Sequence, residues 1–427
     1  MSEVSALTTN GGDFVPATII PMASVTAAPM LRVGFGRHFD LETAMAQCVA
    51  QIGDVTPSLL LVFCGGKQDP AAARSVLRAA YGNVAVVGGS AAGAITGAGF
   101  GYSGLEIAVL AFLDPAVTPR VLVNRDLLAD EAAAGAALGM AVAAIAEPGA
   151  LVLLFFDSVA TTAPLRLHPA SSILEGFQAG LAGKRVEIIG GGLLTDMNLS
   201  DSWVFTGDAV ERHAVMALVF PPAVRATTVV LHGCRPVSTF MEITRIDGAE
   251  VFELDGEPAL TVIERMLNLS IGGSEGHNLT LLATLGEKQG DPFAPYNENA
   301  YVNRLILTTN RASGSVTLFE PDFRRGTMVQ IMSRDNSLML QSVRDGVAAA
   351  NAAMLTGQRL LSLYIDCAGR ASARSGAATE EAEMVMQGLD AAIPLIGFYS
   401  GVEIAPFYGY SRPLDWTGVL TTLSYGA

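Results

Sequence analysis

The 427-residue sequence predicts an α/β fold of two lobes, built from three β-α-β-α-β-β repeats, with a β-rich segment (226–326) opening the C-terminal lobe. Three observations carry this expectation. One order of elements recurs three times along the chain. The strands are short, apolar throughout and alternate with helices, which implies parallel strands covered on both faces. A glycine-rich cluster follows the third strand of each copy, where open α/β sheets commonly bind ligands.

The first copy begins with an apolar strand, Leu31 to Phe35, and an amphipathic helix, Leu41 to Ile52. A buried-strand pattern spans Ser58 to Phe63. The next helix opens at Asp69-Pro70, with Asp as N-cap and Pro at the first helical position. Val84 to Val87 runs into Gly88-Gly89-Ser90, and Leu105 to Phe112 closes the copy. In the second copy the elements are a strand at Arg120–Val123, a helix at Asp130–Ala146 and a strand at Leu151–Phe156. A helix at Ala170–Ala182, a strand at Val186–Ile189 entering Gly190-Gly191-Gly192, and a closing strand at Ala214–Phe220 complete it. The third copy starts with a strand at Met328–Met332 and a long helix at Ser337–Leu355. Leu360–Asp366 is its buried strand and Glu380–Ala392 its second helix, ended by Pro394. Leu395-Ile396 enters Gly397-Phe398-Tyr399-Ser400, and Leu414–Tyr425 holds the last strand.

Between the second and third copies the composition turns β-rich. Thr227–His232, Ser238–Ile246, Ala249–Leu254, Leu279–Leu285 and Arg304–Thr309 read as strands, separated by turn signals at Gly272–Gly276 and Gly290-Asp-Pro292. The expected organisation is an arm at 1–28, with prolines at 16, 21 and 29 in or beside it, then lobes at 29–225 and 226–427.

Bulk properties limit the function classes. Half the residues are hydrophobic, mean hydropathy is +0.41 and net charge is −15. The longest apolar block, Ala132 to Ala146, is shorter than the roughly 18 residues a spanning helix needs. Basic residues cluster only at Arg324-Arg325, so phosphate-driven binding of nucleic acid or anionic membranes is not expected. Cys48, Cys64, Cys234 and Cys367 form no CxxC pair. The N-terminal MSEVSALTTNGGDF has no basic region followed by an apolar core, so a cytoplasmic protein is expected.

The motifs of catalysis mostly fail. Gly272-Gly-Ser-Glu-Gly276 matches GxSxG but lacks the strand before and the helix after that a nucleophile elbow requires. Gly99-Phe-Gly-Tyr-Ser-Gly104 matches GxGxxG, yet a strand pattern follows where a dinucleotide site needs a helix. A hairpin-like connection is expected there. There is no P-loop and no HExxH, and no two of His38, His168, His213, His232 and His277 have helical metal spacing. The expectation is a protein that is not an enzyme.

Several residues remain as binding candidates. Cys367 and Arg370 lie in Asp366-Cys-Ala-Gly369-Arg370 at the end of a buried strand. An Arg there can fork onto a carboxylate and lower a nearby thiol pKa, or simply face solvent beside a buried Cys. Glu403 follows the third glycine cluster and can take an amino group or satisfy loop N–H groups. Tyr399 and its aromatic neighbours suit a pocket wall or a core. His232 and Cys234, two apart and beside Arg235, share one face if the segment is a strand, or lie at a strand end that turns at Gly233 and Pro236.

Taken in order, Val86-Val-Gly-Gly-Ser-Ala-Ala-Gly93, Gly233-Cys-Arg-Pro236, Asp366-Cys-Ala-Gly-Arg370 and Gly397-Phe-Tyr-Ser-Gly-Val-Glu-Ile-Ala-Pro406 resemble the FIST sensory-domain family over roughly residues 30–425. The resemblance implies a signal-input protein of the stand-alone type, acting on a separate histidine kinase or cyclase. It implies a small ligand such as an amino acid, bound through Gly88, Gly89, Ser90, Cys234, Arg235, Cys367, Gly369, Arg370, Tyr399, Ser400 and Glu403. Arg370 and Glu403 would receive the two ends of an amino acid. Some relatives are haem proteins that sense nitric oxide; His232 and Cys234 would be the axial candidates here. Where many relatives carry a His-Asn pair, this chain has Asp415-Trp-Thr-Gly418. The alternatives are a thiol hydrolase using Cys367 or Cys234, and an interaction protein without a ligand.

Overall fold

The computed structural model describes residues 29–268, 279, 282–353 and 357–426. The GxSxG match at 272–276, His277 and the N-terminal arm lie outside the described residues. Among the described residues no helix is long and apolar enough to cross a membrane.

Three six-stranded sheets share one strand order. In the first, Leu31–Arg37 pairs with Glu106–Phe112, then Leu59–Gly65, then Ala85–Ala91. The second runs Arg120–Asn124, Val215–Val219, Ala150–Asp157, Val186–Leu193. The third runs Val224–Leu231, Gly418–Tyr425, Gln358–Cys367, Leu395–Ser400. Each sheet is mixed: its second and third strands in chain order are parallel, and the rest of its pairings are antiparallel. The expectation of parallel strands therefore holds for one pair per sheet, because the closing strand returns antiparallel after a hairpin excursion.

Those hairpins are exchanged around the molecule. The hairpin of strands Ala94–Thr96 and Gly99–Gly101 extends the third sheet, beside Leu395–Ser400. Val204–Gly207 with Val210–Glu211 extends the first sheet, beside Ala85–Ala91. Glu403–Phe407 with Tyr410–Leu414 extends the second, beside Val186–Leu193. One edge of each sheet is thereby paired, while Leu31–Arg37, Arg120–Asn124 and Val224–Leu231 stand at the opposite edges. The GxGxxG stretch is the second strand of one of these hairpins and the turn beyond it, not a nucleotide loop.

Strand alternation explains why the strands are apolar on both faces. Leu59, Leu61 and Phe63 point into a core shared with Leu151, Leu153 and Phe155 and with Leu363, Ile365 and Phe398. At its centre Phe63 stacks on Phe398 at 4.2 Å, and Phe155 meets both edge-on. The intervening residues, such as Leu60 and Val62, face helices Leu41–Ile52 and Pro70–Tyr81. Helices Glu131–Ile145 and Ala170–Gly180 cover the second sheet in the same way. Helices Asn336–Ala352 and Glu381–Gly388 cover the third. The helix starts follow from capping: Asp40, Asp69, Asp130 and Asp335 each accept backbone N–H groups of the first turn.

The glycine clusters lie inside strands rather than beyond their ends. A Cβ on Gly88 would stand 2.1 Å from the Val62 carbonyl oxygen, and one on Gly190 would stand 1.9 Å from that of Leu154. These positions let the parallel neighbour approach, which only a residue without a side chain permits. Gly190→Ala is expected to lower stability by about 1–3 kcal/mol, as overpacking does. Gly97→Ala, with open space around it, is the matched control and should leave a urea midpoint unmoved.

The structure corrects the start of the third copy. Its outer strand is Val224–Leu231, paired along its length with Gly418–Tyr425. The lobe boundary expected at 225/226 thus falls inside this strand. Met328–Arg334 belongs instead to a separate antiparallel sheet formed by the β-rich segment. That sheet closes on itself: Met241–Asp247, Glu250–Leu254, Ser315–Leu318, Tyr301–Asn310, Ala283–Lys288 and Met328–Arg334 pair in turn, and the last returns to the first. Helix Ala259–Met266, unread in the sequence, packs with the interior of this small barrel. The barrel is inserted between the first strand and first helix of the third sheet's segment.

Candidate functional site

The end of the third sheet, the barrel and a loop of the second segment meet around a cavity of about 580 Å³. Strands Gln358–Cys367 and Leu395–Ser400 end there and deliver Cys367, Gly369 and Ser400 to its wall. The barrel contributes Leu305, Leu307 and Phe319. The loop after Val186–Leu193 contributes Leu194, Met197 and Leu199. Trp416, in the turn before the last strand, forms part of the floor. The wall is largely apolar with a few convergent polar groups, as small-molecule sites are.

Trp416 is fixed on several sides. Its backbone takes a left-handed φ of 59°, and the Arg334 guanidinium lies 4.7 Å from the centre of its ring. Its carbonyl accepts from Arg370 Nη1 at 3.0 Å. The side chain is 1% exposed, yet its Nε1–H has no hydrogen-bond partner. A buried donor left unpaired costs desolvation without return, so such a group beside a cavity marks a place for an acceptor.

Arg374, on the short helix Ser372–Ser375, also lines the cavity. Its Nη2 donates to the Met197 carbonyl at 3.0 Å and to Asn198 Oδ1 at 2.5 Å. Among the described residues no carboxylate pairs with it, and no Asp or Glu lines the cavity. Arg374 and the indole of Trp416 went unread in the sequence as site residues. Neither stands in a recognisable motif, and only the fold brings residues 374 and 416 together.

The other sequence candidates are distributed as follows. Arg370 does fork onto a carboxylate, but an internal one. Its Nε and Nη2 reach Glu381 at 2.9 and 2.8 Å, its Nη1 also holds the His232 carbonyl at 2.8 Å, and its Nε lies 3.4 Å from Asp366. It is 2% exposed and does not line the cavity. Burial pushes the Asp366 carboxyl well up, Glu381 adding to the effect. Tyr399 donates to Glu380 Oε1 at 2.8 Å, behind the same wall. Gly88, Gly89 and Ser90 lie in the first sheet, with the Ser90 hydroxyl on the Trp203 carbonyl. Arg235 faces solvent and pairs with Asp335 at 3.6 Å.

Glu403 is fully buried behind Ser400. Ser400 Oγ lies 2.5 Å from Glu403 Oε1 and 3.1 Å from the Asp366 carbonyl, while Thr417 gives Oε2 its hydroxyl at 3.0 Å and its N–H at 3.2 Å. One hydroxyl proton cannot serve two acceptors, so a proton on Glu403 completes the pattern. Burial agrees, pushing this carboxyl up to about 8. Glu403 is thus a neutral internal donor at neutral pH, not a receiver of an ammonium group.

The thiols are likewise muted. Burial raises Cys367 well above the ordinary thiol range, with Glu403 adding to it, and pushes Cys234 up to about 12. The lowered pKa considered for a cysteine beside an arginine is therefore reversed: desolvation outweighs the positive charge. Cys234 and Cys367 share an apolar cluster with Trp416.

The haem candidates do not fit that group. His232 is 1% exposed, both ring nitrogens lack partners, and burial holds it neutral by pushing its pKa down to about 3. Both residues are buried and neither lines this cavity, so among the described residues neither presents a donor there to a macrocycle. Among the described residues no group of three or more His, Cys, Asp or Glu is arranged to hold a metal ion.

Against known families, residues 58–257 match the FIST N domain and residues 259–406 match the FIST C domain. The chain belongs to the FIST family. FIST domains are sensory modules of signal-transduction proteins. An uncharacterized protein of Mycobacterium tuberculosis is 26% identical over 243 residues, covering 57% of this chain and 62% of the relative. The match thus spans less than two thirds of that relative's length. An uncharacterized protein of Mycobacterium bovis is 26% identical over 321 residues, covering 71% of this chain and 81% of the relative. Among solved structures, a crystal structure of cyanuric acid hydrolase from A. caulinodans aligns with 94% of this chain and 100% of its own, at 9% identity and a TM-score of 0.35. A likeness of that strength assigns no activity.

Proposed function

We propose that this FIST protein is a signal-input module that binds a small molecule in the cavity between the third sheet and the inserted barrel. Its occupancy would be read by a separate signalling partner, such as a histidine kinase or a cyclase. The observation that supports this most is the unpaired, buried Nε1–H of Trp416 at the floor of an apolar cavity of about 580 Å³. Three separate parts of the chain wall the cavity, so a bound molecule touches all of them at once. Preferential binding to one arrangement of those parts is what a sensor needs.

No catalytic role is proposed. Cys367, the one thiol on the wall, is kept protonated by burial and so lacks the thiolate a nucleophile needs. An amino acid, the ligand implied by resemblance, cannot be held by Arg370 and Glu403 as first expected, since both are engaged inside the protein.

A thermal-shift screen of small metabolites tests this reading. Ligand at about 100 times its Kd should stabilise the protein by roughly 2.7 kcal/mol. Leu307→Trp, which fills the cavity from a half-buried barrel position, should abolish the shift while leaving the unliganded protein folded. A shift that survives Leu307→Trp would move the site elsewhere, and a screen without any stabilising compound would remove the proposal.

A further inference from the structure

We infer that the ligand is a small apolar carboxylate without an ammonium group, held by Arg374 and by the indole N–H of Trp416. The inference rests on the cavity's being the sensory site and names the chemistry that site accepts.

The polar groups of the wall are asymmetric in kind. Arg374 is the charged side chain lining the cavity, and no Asp or Glu accompanies it. Its Nη2 is used by Met197 and Asn198, while its Nε and Nη1 have no hydrogen-bond partner among the described residues. Trp416 adds a buried donor that has no acceptor. Two donors, one of them cationic, thus belong to residues of a wall whose other polar side chains, Asn198, Thr308, Cys367 and Ser400, carry no charge. A carboxylate supplies acceptor oxygens to both, and the pairing with guanidinium is charge-assisted.

An α-ammonium would meet the opposite situation. Carboxyls packed behind the wall include Glu403, Asp366, Glu381 and Asp415, the last accepting from the N–H of the wall residue Leu305 at 2.9 Å. Glu403 is satisfied by Ser400 and Thr417, Glu381 is taken by Arg370, Asp366 lies 3.4 Å from the Arg370 guanidinium, Asp415 gives one oxygen to Leu305, and none of the four lines the cavity. An ammonium in the cavity would therefore be desolvated without a counter-ion, which is strongly unfavourable. The apolar side chains of Leu305, Leu307, Phe319 and Leu199 suit a hydrocarbon or aryl tail.

Matched pairs that differ only by the ammonium group test this: 3-phenylpropionate against phenylalanine, hexanoate against norleucine, octanoate against 2-aminooctanoate. Binding is read by calorimetry on the full chain. It is read in parallel by the emission of Trp416 in a Trp203→Phe background, which leaves a single tryptophan. At least one acid should bind about tenfold or more tightly than its amino counterpart. Arg374→Gln should weaken that acid about tenfold or more, and Trp416→Phe, which keeps a ring but removes the N–H, should weaken it as well. Should Trp416→Phe fail to fold, Arg374→Gln decides the matter alone.

Amino acids that bind as well as, or better than, their acids in every pair would overturn the ligand class and leave the cavity reading intact. Acids that bind undiminished in Leu307→Trp would overturn both. No binding by any acid up to about 5 mM would also overturn the class, with the wider metabolite screen then deciding the site separately.

Discussion

Arg370→Leu is expected to cost about 3–5 kcal/mol of stability, the range for stripping one partner from a buried ion pair. The guanidinium sits between Glu381, to which it donates twice, and Asp366, and it also holds the carbonyls of His232 and Trp416. Its loss leaves Glu381 buried without a counter-charge and frees two carbonyls. Those carbonyls belong to the segment that leads into the barrel and to the turn that carries Trp416, so the damage spreads to the floor of the cavity. The double variant Arg370→Leu/Glu381→Leu should recover part of the loss, because it removes both charges together. Urea midpoints of the two variants and the parent decide the point. A single variant as stable as the parent would refute the structural role of Arg370 and return it to consideration as a ligand-binding group.

The second large effect is in pH. A carboxyl whose pKa is about 8 when folded and 4.5 when unfolded holds a proton in the native state that the unfolded chain has released. Between those values the native state binds more protons, so its stability falls as pH rises and levels off above about 8. For Glu403 alone the total is on the order of 3–5 kcal/mol. Glu320, raised to about 7, and Asp415, raised to about 6, act in the same direction, both chiefly through burial. His168, lowered by burial, acts oppositely, losing stability as pH falls through its unfolded value of 6.5. Glu403→Gln isolates the first contribution, since the amide keeps an acceptor for Thr417 and a donor for Ser400. Thermal midpoints from about pH 5 to about pH 8.5 should fall less steeply in this variant than in the parent. Equal slopes would show that Glu403 is ionised in the folded protein.

Much of the scaffold was legible from local chemistry. The helix Leu41–Ile52 lies where its periodicity and the Asp40 cap place it, and Pro70–Tyr81 begins where Asp69-Pro70 says it should. The apolar strands of all three sheets were visible for the same reason, since alternate residues feed two cores. Pairing was less legible. Val224–Leu231 has the composition of any strand, and nothing local distinguishes a partner in residues 418–425 from one in the barrel. The exchanged hairpins are only a few residues long and carry no strong pattern. At the site, Cys367, Gly369 and Ser400 were within reach of sequence reasoning because they end recognisable buried strands. Arg370 and Glu403 read as ligand groups in the sequence, but a buried charge looks the same there whether it meets a ligand or another side chain. Arg374 was the converse: an ordinary arginine whose significance depends on which acidic residues are absent around it.

The exchanged hairpins also set the order in which the protein can be made. Thr96 pairs with Ile396, a residue 300 positions further along the chain. At ribosomal rates of about 5–20 residues per second, the hairpin that carries Thr96 waits roughly 15–60 s for its partner strand to be synthesised. During that interval the first segment can form its own four strands, but its hairpin has no sheet to join. The last strand of that segment's sheet likewise awaits Val204–Gly207 before its edge is closed. The nascent protein therefore passes through a period with open strand edges and cannot close its ring of sheets until the final segment has left the ribosome. Synthesis in the cell thus favours conditions that shield unfinished β-structure.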